Sequence, residues 1–318
     1  MTSSPKPDAG VDSPRLCVYT ALLGGYEKLN EQPAASRSKI PFLCLTDDPH
    51  LRSESWQMRS VSPVFSMDPV RSQRDFKLRP HLHLPDFDLS IYIDNSVLLT
   101  EPPERIMERY LPTSGFAIPS HGDHVSVLDE FLEVVKRGYD DQSRIFEQLN
   151  HYSFACPEVL EERPYWAGIL LRDHRKPEVR AVLETWYAHV LRYSRRDQLS
   201  VNAAFRLTGF SPEVIDVDSW GSWFHTWPHT LGRDRGKGSL DPAASFSPPV
   251  ARVRQLERQL AEAEGLCKEM MSSDAWRIGK RLVDGADRHP LLARPLLRVA
   301  RLLTGRSGTS GTSPQVRG

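Results

Sequence analysis

The segment Leu89-Ser90-Ile91-Tyr92-Ile93 leads directly into Asp94-Asn95-Ser96 and decides the fold. A strand buried on both faces reads as a nearly continuous apolar run, which is typical of parallel sheets. A second such run, residues 16–23, stops at two glycines, and a third, residues 41–46, stops at Asp47. Because these runs alternate with helical connectors, the sequence predicts a doubly wound α/β fold with a mostly parallel sheet flanked by helices.

Weaker patterns complete this α/β domain, which we assign to residues 15–231. Further strands are predicted at residues 56–61 and 165–171. Apolar side chains at helical spacing predict helices at residues 71–83, 125–152, 177–192 and 198–207.

Composition limits the class of protein. The 318 residues include 41 basic and 41 acidic side chains, so the chain has no net charge to attract nucleic acid. No apolar run approaches the roughly 20 residues of a membrane-spanning helix. Residues 1–14 are rich in Ser, Pro and Asp and predict a disordered leader rather than a signal peptide. The four cysteines are far apart without a C-x-x-C pair, which favours a reduced, cytoplasmic protein.

The C-terminal part differs in composition from the α/β domain. Residues 232–250 are rich in Gly, Pro and Ser and predict a linker, and residues 307–318 predict a disordered tail. Residues 251–273 predict a short coiled coil, and hence a homo-oligomer, from the seam Val253, Leu256, Leu260, Ala263, Cys267 and Met270. Residues 274–306 predict basic amphipathic helices that contact a membrane surface, with Arg277, Lys280, Arg281, Arg288, Arg294, Arg298, Arg301 and Arg306 among leucines. The alternative is that these helices pack against protein.

Asp94 is the first candidate for chemistry. A carboxylate after a parallel strand lies at the carboxyl edge of the sheet, where open α/β folds bind ligands. There it can hold a hard divalent cation, Mn²⁺ or Mg²⁺, against a diphosphate. The alternative is an Asx side chain that caps the next turn.

Three cationic or protonatable side chains precede that strand. Arg74, Lys77 and His81 follow helical spacing, so we expect them to share one helix face and to bind two phosphates. The alternative is a solvated basic face.

Downstream residues are candidates for binding sugar hydroxyls or a metal. Asp197 and Gln198 are predicted to bind hydroxyl groups of donor or acceptor, with Glu130 as a further candidate; the alternative for Asp197 is a helix N-cap. His225 and His229 lie among three tryptophans and are predicted as late metal or phosphate ligands, the alternative being surface histidines.

The order of these motifs resembles the glycosyltransferase-like domain family named after plant mucilage and tapetum proteins. It is also similar to the wider group of A-type glycosyltransferases, which have a Rossmann-like fold. The resemblance covers residues 16–230 and rests on residues 19–29, 44–48, 74–81, 91–94, His121 with Asp129-Glu130, 170–172 and 196–200.

The resemblance implies roles for individual residues. The strand end with Thr20, Ala21 and Tyr26, together with Asp47, would hold the nucleotide base and ribose. Asp94 would occupy the first position of the Asp-x-Asp metal motif, with Asn95 next to it also at the nucleotide. Ser96 stands at the second acidic position, so a metal would be held by Asp94 plus a histidine, with Ser96 beside them, or not at all. Lys77 and His81 would then take more of the diphosphate charge.

The predicted function is therefore transfer of a sugar from a nucleotide-sugar donor to a glycan or lipid-linked acceptor. Residues 273–279 resemble a segment that follows coiled coils in bacterial surface-polysaccharide glycosyltransferases, which implies that context. The basic amphipathic helices predict a place at the inner face of the cell membrane. The alternative is a non-catalytic nucleotide-sugar-binding or scaffold protein assembled through the coiled coil. A hydrolase is disfavoured because neither Gly-x-Ser-x-Gly nor His-Glu-x-x-His occurs.

Overall fold

The computed structural model describes residues 14–65, 68–232 and 249–288. The chain divides into one unit that ends at Pro248 and a second that begins at Pro249. The predicted leader, linker and tail lie almost wholly outside the described residues, so their boundaries stay predictions.

The first unit is a mixed α/β domain built on a seven-stranded sheet, as the sequence predicts. Its strands are β1 (Leu16–Leu22), β2 (Phe42–Thr46), β3 (Gln57–Ser60), β4 (Leu89–Ile93), β5 (Leu98–Leu99), β6 (Phe116–Pro119), β7 (Ile169–Asp173), β8 (Glu213–Ile215) and β9 (His225–Thr226). The sheet order is β3-β2-β1-β4-β7-β6-β8, and β5 pairs separately with β9.

The helices of this unit cover both faces of the sheet. They are α1 (Pro69–Leu78), α2 (Pro80–His83), α3 (Pro103–Tyr110), α4 (Val127–Lys136), α5 (Gln142–Ala155), α6 (Pro177–Arg192) and α7 (Val201–Thr208), with 3₁₀ segments at Pro33–Arg37, Pro157–Glu161 and Asp197–Leu199. Phe76, Trp186 and Phe205 pack on one face of the sheet, and Ile106 and Phe224 on the other. Burial on both faces explains the continuous apolar runs.

Strand direction places the ends of most strands at one edge. β1 to β4 are mutually parallel where they pair. β7 is antiparallel to both β4 and β6, and β8 is parallel to β6. The strands β6 and β8 therefore run in the same direction as β4. The loops that follow β1, β2, β4, β6 and β8 all lie at this carboxyl edge.

Several predicted elements differ from the structure in extent. The predicted helix 71–83 is two helices, because Pro80 lacks the amide hydrogen needed to continue α1 and instead begins α2. The predicted helix 125–152 is likewise α4 and α5, separated by a turn in which Gly138 has a φ of 60°. The predicted strand 165–171 is β7, which begins later, at Ile169.

The second unit contains α8 (Pro249–Ser272) and α9 (Asp274–Arg288). The helix expected for residues 251–273 is present, while its pairing into a coiled coil stays a prediction. The predicted basic segment is helical as far as Arg288, and its remainder lies outside the described residues. Among the described residues, no helix has the length and apolar composition needed to cross a membrane.

Candidate functional site

Asp94 follows β4 at the carboxyl edge, and its side chain is held through one oxygen. Its amide donates to the carbonyl of Gly168, just before β7, at 2.9 Å. Its Oδ1 accepts the Tyr92 hydroxyl at 2.7 Å and lies 3.2 Å from the Lys77 ammonium. The side chain is 35% exposed. Because Oδ1 carries both contacts, Oδ2 is the oxygen that Asp94 offers to a ligand.

Behind Asp94 lies a buried network of charges. Lys77 is 1% exposed, and its ammonium contacts Oδ2 of Asp197 at 2.6 Å. The Arg74 guanidinium contacts Oδ1 of Asp197 at 2.9 Å. Burial alone would raise the pKa of Asp197, but the charges of Arg74 and Lys77 outweigh burial and lower that pKa to about 2. Asp197 therefore holds two cations in place and does not reach a substrate, which corrects its predicted hydroxyl-binding role and its N-cap alternative.

The glycine turn after β1 meets the end of β2. The Gly24 amide donates to both carboxylate oxygens of Asp47 at 3.1 Å. Gly24 has a φ of 73°, and a Cβ there would lie 2.6 Å from Pro69, so only glycine fits this turn. Thr20 and Ala21 are buried near the end of β1, and their contact with a nucleotide stays a prediction. Tyr26 is half-buried, and its phenol acts electrostatically on Arg74.

His81 does not lie with Arg74 and Lys77 beside Asp94. Lys77 ends near Asp94, whereas the His81 Nε2 contacts Glu184 on α6 at 2.8 Å. The prediction that Lys77 and His81 share one helix face is wrong because the helix stops between them, at Pro80. Gln198 is half-buried next to Asp197.

The predicted metal ligands around Asp94 do not converge. His225 is fully buried, stacks on Trp166 and contacts the Ser222 hydroxyl at 2.7 Å. His229 is exposed, and its ring contacts the Thr226 hydroxyl at 2.9 Å. Burial and its hydrogen bonds commit His225 to the fold, so its predicted ligand role is wrong. His229 lies beside the loop after Asp94, because its amide donates to the Ser96 carbonyl at 2.7 Å, and its role as a ligand stays a prediction.

Asn95 and Ser96 have structural partners. The Asn95 side chain accepts the Asn30 amide and donates to the Lys28 carbonyl, both at 2.9 Å, which fixes the loop after β1. The Ser96 hydroxyl accepts the Trp227 indole N–H at 3.1 Å. Asn95 is thus committed to the fold rather than to a nucleotide.

A second polar cluster lies after β6 at the same edge. The Nδ1 of His124 lies 2.7 Å from Oε2 of Glu130, and the Nε2 of His121 lies 4.0 Å from that oxygen. The two imidazole rings stack at 4.5 Å. Glu130 is buried and contacts the two histidines of the cluster, so it is not placed to contact an acceptor directly, which corrects that prediction. His124 itself was missed in the sequence, because only its turn brings it to Glu130.

Charge balance sets the protonation of this cluster. Burial would raise the pKa of Glu130, but the His124 hydrogen bond and the Arg196 charge bring it below the usual range. The Glu130 hydrogen bond raises the pKa of His124, while burial lowers the pKa of His121. Glu130 is therefore ionised and His121 neutral near pH 7.

His121, His124 and Glu130 are the one group of three described side chains with the spacing of metal ligands. However, Nδ1 of His121 accepts the amides of Asp123 and His124, both at 3.2 Å. A neutral imidazole that accepts at Nδ1 carries its proton on Nε2, the nitrogen that faces Glu130. The cluster is therefore arranged to hold protons rather than a metal ion.

Two tryptophans connect the clusters. The Trp220 indole N–H donates to Asp123 at 3.0 Å, next to His124. Its ring lies 5.0 Å from that of Trp227, which donates to Ser96, two residues after Asp94. Trp220 is 50% exposed. An aromatic surface therefore extends between the two polar clusters.

Comparison with known proteins identifies relatives of this chain. Residues 9–212 match the family described as "TOD1/MUCI70, glycosyltransferase-like domain", a range that includes Asp94, His124 and Asp197. The probable hexosyltransferase MUCI70 of Arabidopsis thaliana is 30% identical over 155 residues, 46% of this chain and 26% of that protein. The matched region thus spans about a quarter of that relative's length.

Two solved structures are also similar. The apo WbbM bifunctional glycosyltransferase aligns with a TM-score of 0.41 and 10% identity, over 65% of this chain and 39% of that one. Mouse xyloside xylosyltransferase 1, also in apo form, aligns with a TM-score of 0.38 and 11% identity, over 63% of this chain and 85% of that one.

Proposed function

Because the chain belongs to the TOD1/MUCI70 glycosyltransferase-like domain family, we propose that it transfers a hexose-like sugar from a nucleotide-sugar donor to a glycan or lipid-linked acceptor. The observation that carries this proposal is Asp94, a strand-end carboxylate with one oxygen fixed by Lys77 and Tyr92 and the other open. Ligands of open α/β folds bind at this edge.

The donor lies with its diphosphate at Asp94 and its nucleoside toward the turn where Gly24 meets Asp47. In glycosyl transfer the bond to the diphosphate breaks, and the leaving group needs positive charge close by. Arg74 and Lys77 lie close to this position and are anchored by Asp197, but the carboxylates that they contact balance most of their charge.

A divalent cation fits the donor side of the site. The two cations Arg74 and Lys77 are already matched by the carboxylates of Asp94 and Asp197, so little positive charge is left to offset a diphosphate. Mg²⁺ is commonly held by one or two carboxylates together with substrate phosphates. Asp94 would hold such an ion, Mg²⁺ or Mn²⁺, through Oδ2, and the ion would neutralise charge on the leaving diphosphate.

The donor assignment is tested with a panel of UDP-glucose, UDP-galactose, UDP-N-acetylglucosamine, GDP-mannose and dTDP-rhamnose, each with and without Mn²⁺. At a donor concentration of about 100 times Kd, binding stabilises the folded state by about 2.7 kcal/mol. We expect one or more donors to raise the melting temperature, more strongly with Mn²⁺, and to release nucleoside diphosphate. Failure of every donor to bind contradicts the proposal, and binding without any release favours the non-catalytic alternative.

The second unit supports an assembly and a membrane location for this activity. On α8, the seam residues Leu256, Leu260 and Met270 are all about half exposed or more, as expected for a helix that pairs with a second copy of the chain. On α9, Trp276 and Leu282 are also exposed and are interspersed with basic residues. The proposed setting is synthesis of a bacterial surface polysaccharide or glycoconjugate at the inner face of the cell membrane.

Both parts of this setting are measurable on the full chain. We expect light scattering to give an oligomer that Leu260→Glu dissociates, because a buried seam does not accept a charge. We expect co-sedimentation with anionic but not neutral vesicles at low salt, and its loss when Arg277, Lys280 and Arg281 are all replaced by Glu. A monomeric wild-type chain removes the assembly proposal, and equal binding of the triple variant removes the membrane proposal.

A further inference from the structure

Two features of the carboxyl edge are not used by the donor: the pair His124–Glu130 and the exposed indole of Trp220. They follow β6 and β8, whereas Asp94 follows β4. Between β4 and β6 lies one strand, β7, so the two strand ends are about 10 Å apart. That separation leaves room for a sugar ring between a diphosphate at Asp94 and a group near His124.

The hydrogen bond to Glu130 determines which nitrogen of His124 is available. Nδ1 donates its proton to Oε2 of Glu130 at 2.7 Å. The lone pair of a neutral His124 therefore lies on Nε2, and in the described parts of the molecule no side chain is hydrogen-bonded to that nitrogen. An imidazole oriented by a buried carboxylate, with its second nitrogen open, is the arrangement of a general base.

Trp220 supplies an exposed surface next to the loop that carries His124. Its N–H is tied to Asp123, the neighbour of His124, while half of the residue is exposed. An indole face offers apolar area at little entropic cost, and the C–H face of a sugar ring is also apolar. The second indole, Trp227, continues the surface to Ser96 and the strand end at Asp94.

We propose that this is the acceptor side of the site: an acceptor sugar packs on Trp220, and His124 Nε2 takes the proton from its attacking hydroxyl. The inference rests on the glycosyl transfer proposed above. The acceptor oxygen forms a bond to the anomeric carbon of the donor sugar as the bond from that carbon to the phosphate oxygen breaks. The electron pair of that bond leaves with the nucleoside diphosphate, and the proton remains on His124, stabilised by Glu130. Glu130 is a positioning residue.

The charged surroundings of His124 give the proposal a pH signature. Three acidic side chains of α4 act on His124: Glu130, Asp129 and Glu133. From its own loop, His121 and Asp123 belong to the same cluster. Two arginines complete the surroundings: Arg196 acts on Glu130, and Arg163 donates to the His121 carbonyl. Glu130 raises the pKa of His124 above the usual range. Because the neutral imidazole is the base, the transfer rate should increase as pH rises through this raised pKa. Glu130→Gln should move that increase to lower pH.

The test uses the full chain with UDP-glucose, UDP-galactose and GDP-mannose as donors, and methyl glucoside, methyl galactoside and methyl mannoside as acceptor probes. His124→Gln should lower kcat for transfer by a factor on the order of 100 or more while donor-induced thermal shifts stay as in the wild type. Trp220→Ala should raise KM for the acceptor by roughly tenfold with little change in kcat, and Trp220→Phe should restore part of the loss.

A matched control is His83→Gln. His83 also contacts a carboxylate, Asp75, at 2.6 Å, but lies before β4 at the opposite edge of the sheet. The His83→Gln variant should transfer sugar at the wild-type rate. The proposal is overturned if folded His124→Gln transfers sugar at the wild-type rate. It is also overturned if the rate of the wild type falls as pH rises through the pKa of His124, a result that does not depend on the folding of any variant. A wild-type chain that neither binds nor turns over these donors overturns the proposed function itself, and the role of His124 falls with it.

Discussion

Asp94→Asn should reduce sugar transfer by a factor on the order of 100 or more, because it removes the one open carboxylate at the diphosphate position. The amide keeps the size of the side chain and can still accept the Tyr92 hydroxyl, which donates to Asp94 in the wild type. The fold should therefore be intact, with only the charge lost. Nucleoside diphosphate release and product formation, followed with the best donor of the panel, give the rate.

The matched control for this charge is Asp86→Asn. Asp86 is an exposed carboxylate that pairs with Arg59 at 3.6 Å and precedes β4, at the opposite edge of the sheet. It should leave the rate unchanged. Near-normal transfer by a well-folded Asp94→Asn enzyme would place the diphosphate elsewhere.

The largest effect on stability is expected for Asp197→Ala. This change leaves the buried Arg74 and Lys77 without their shared carboxylate, and an uncompensated buried charge costs about 3–5 kcal/mol. Urea denaturation at pH 7 measures the loss in the free energy of unfolding. Asp141→Ala is the comparison, since Asp141 is an exposed N-cap of α5 and its removal costs about 1 kcal/mol. Equal losses for the two variants would contradict the buried network.

The same network predicts that the free energy of unfolding decreases at acid pH. The pKa of Asp197 in the folded protein is about 2, below its ordinary value of 3.8. A carboxylate with a depressed pKa stabilises the fold fully above the unfolded-state value, and this contribution is lost as pH falls from about 3.8 toward 2. The wild type should therefore lose stability across that window, and Asp197→Ala should lose less.

The fold was largely predictable because its strongest signals are local. A parallel strand that is buried on both faces has a continuous apolar sequence. Such runs predict β1, β2 and β4, and they predict that Asp94 lies at the end of a strand. The direction of β7 was not predictable, because an apolar run is the same for a parallel and an antiparallel strand. Helical spacing from Arg74 through Lys77 predicts a basic face that includes His81, but Pro80 ends the helix between Lys77 and His81.

The candidate site was predictable only where it depends on a strand end. The ion pair of Lys77 with Asp197 joins residues far apart in sequence, so helical spacing could not reveal that Asp197 anchors cations instead of binding hydroxyls. His225 has a sequence context typical of a ligand, but packing against Trp166 buries it. His124 lies close to Glu130 in sequence, and its role depends on the tautomer set by one hydrogen bond.

The most direct test of the central claim is calorimetric titration of UDP and GDP into the wild type and Asp94→Asn, with and without Mn²⁺. The wild type should bind one of these diphosphates more tightly with Mn²⁺, and Asp94→Asn should lose that gain while binding the corresponding nucleoside as before. Equal, Mn²⁺-enhanced affinity of both proteins for the diphosphate would contradict a diphosphate site at Asp94.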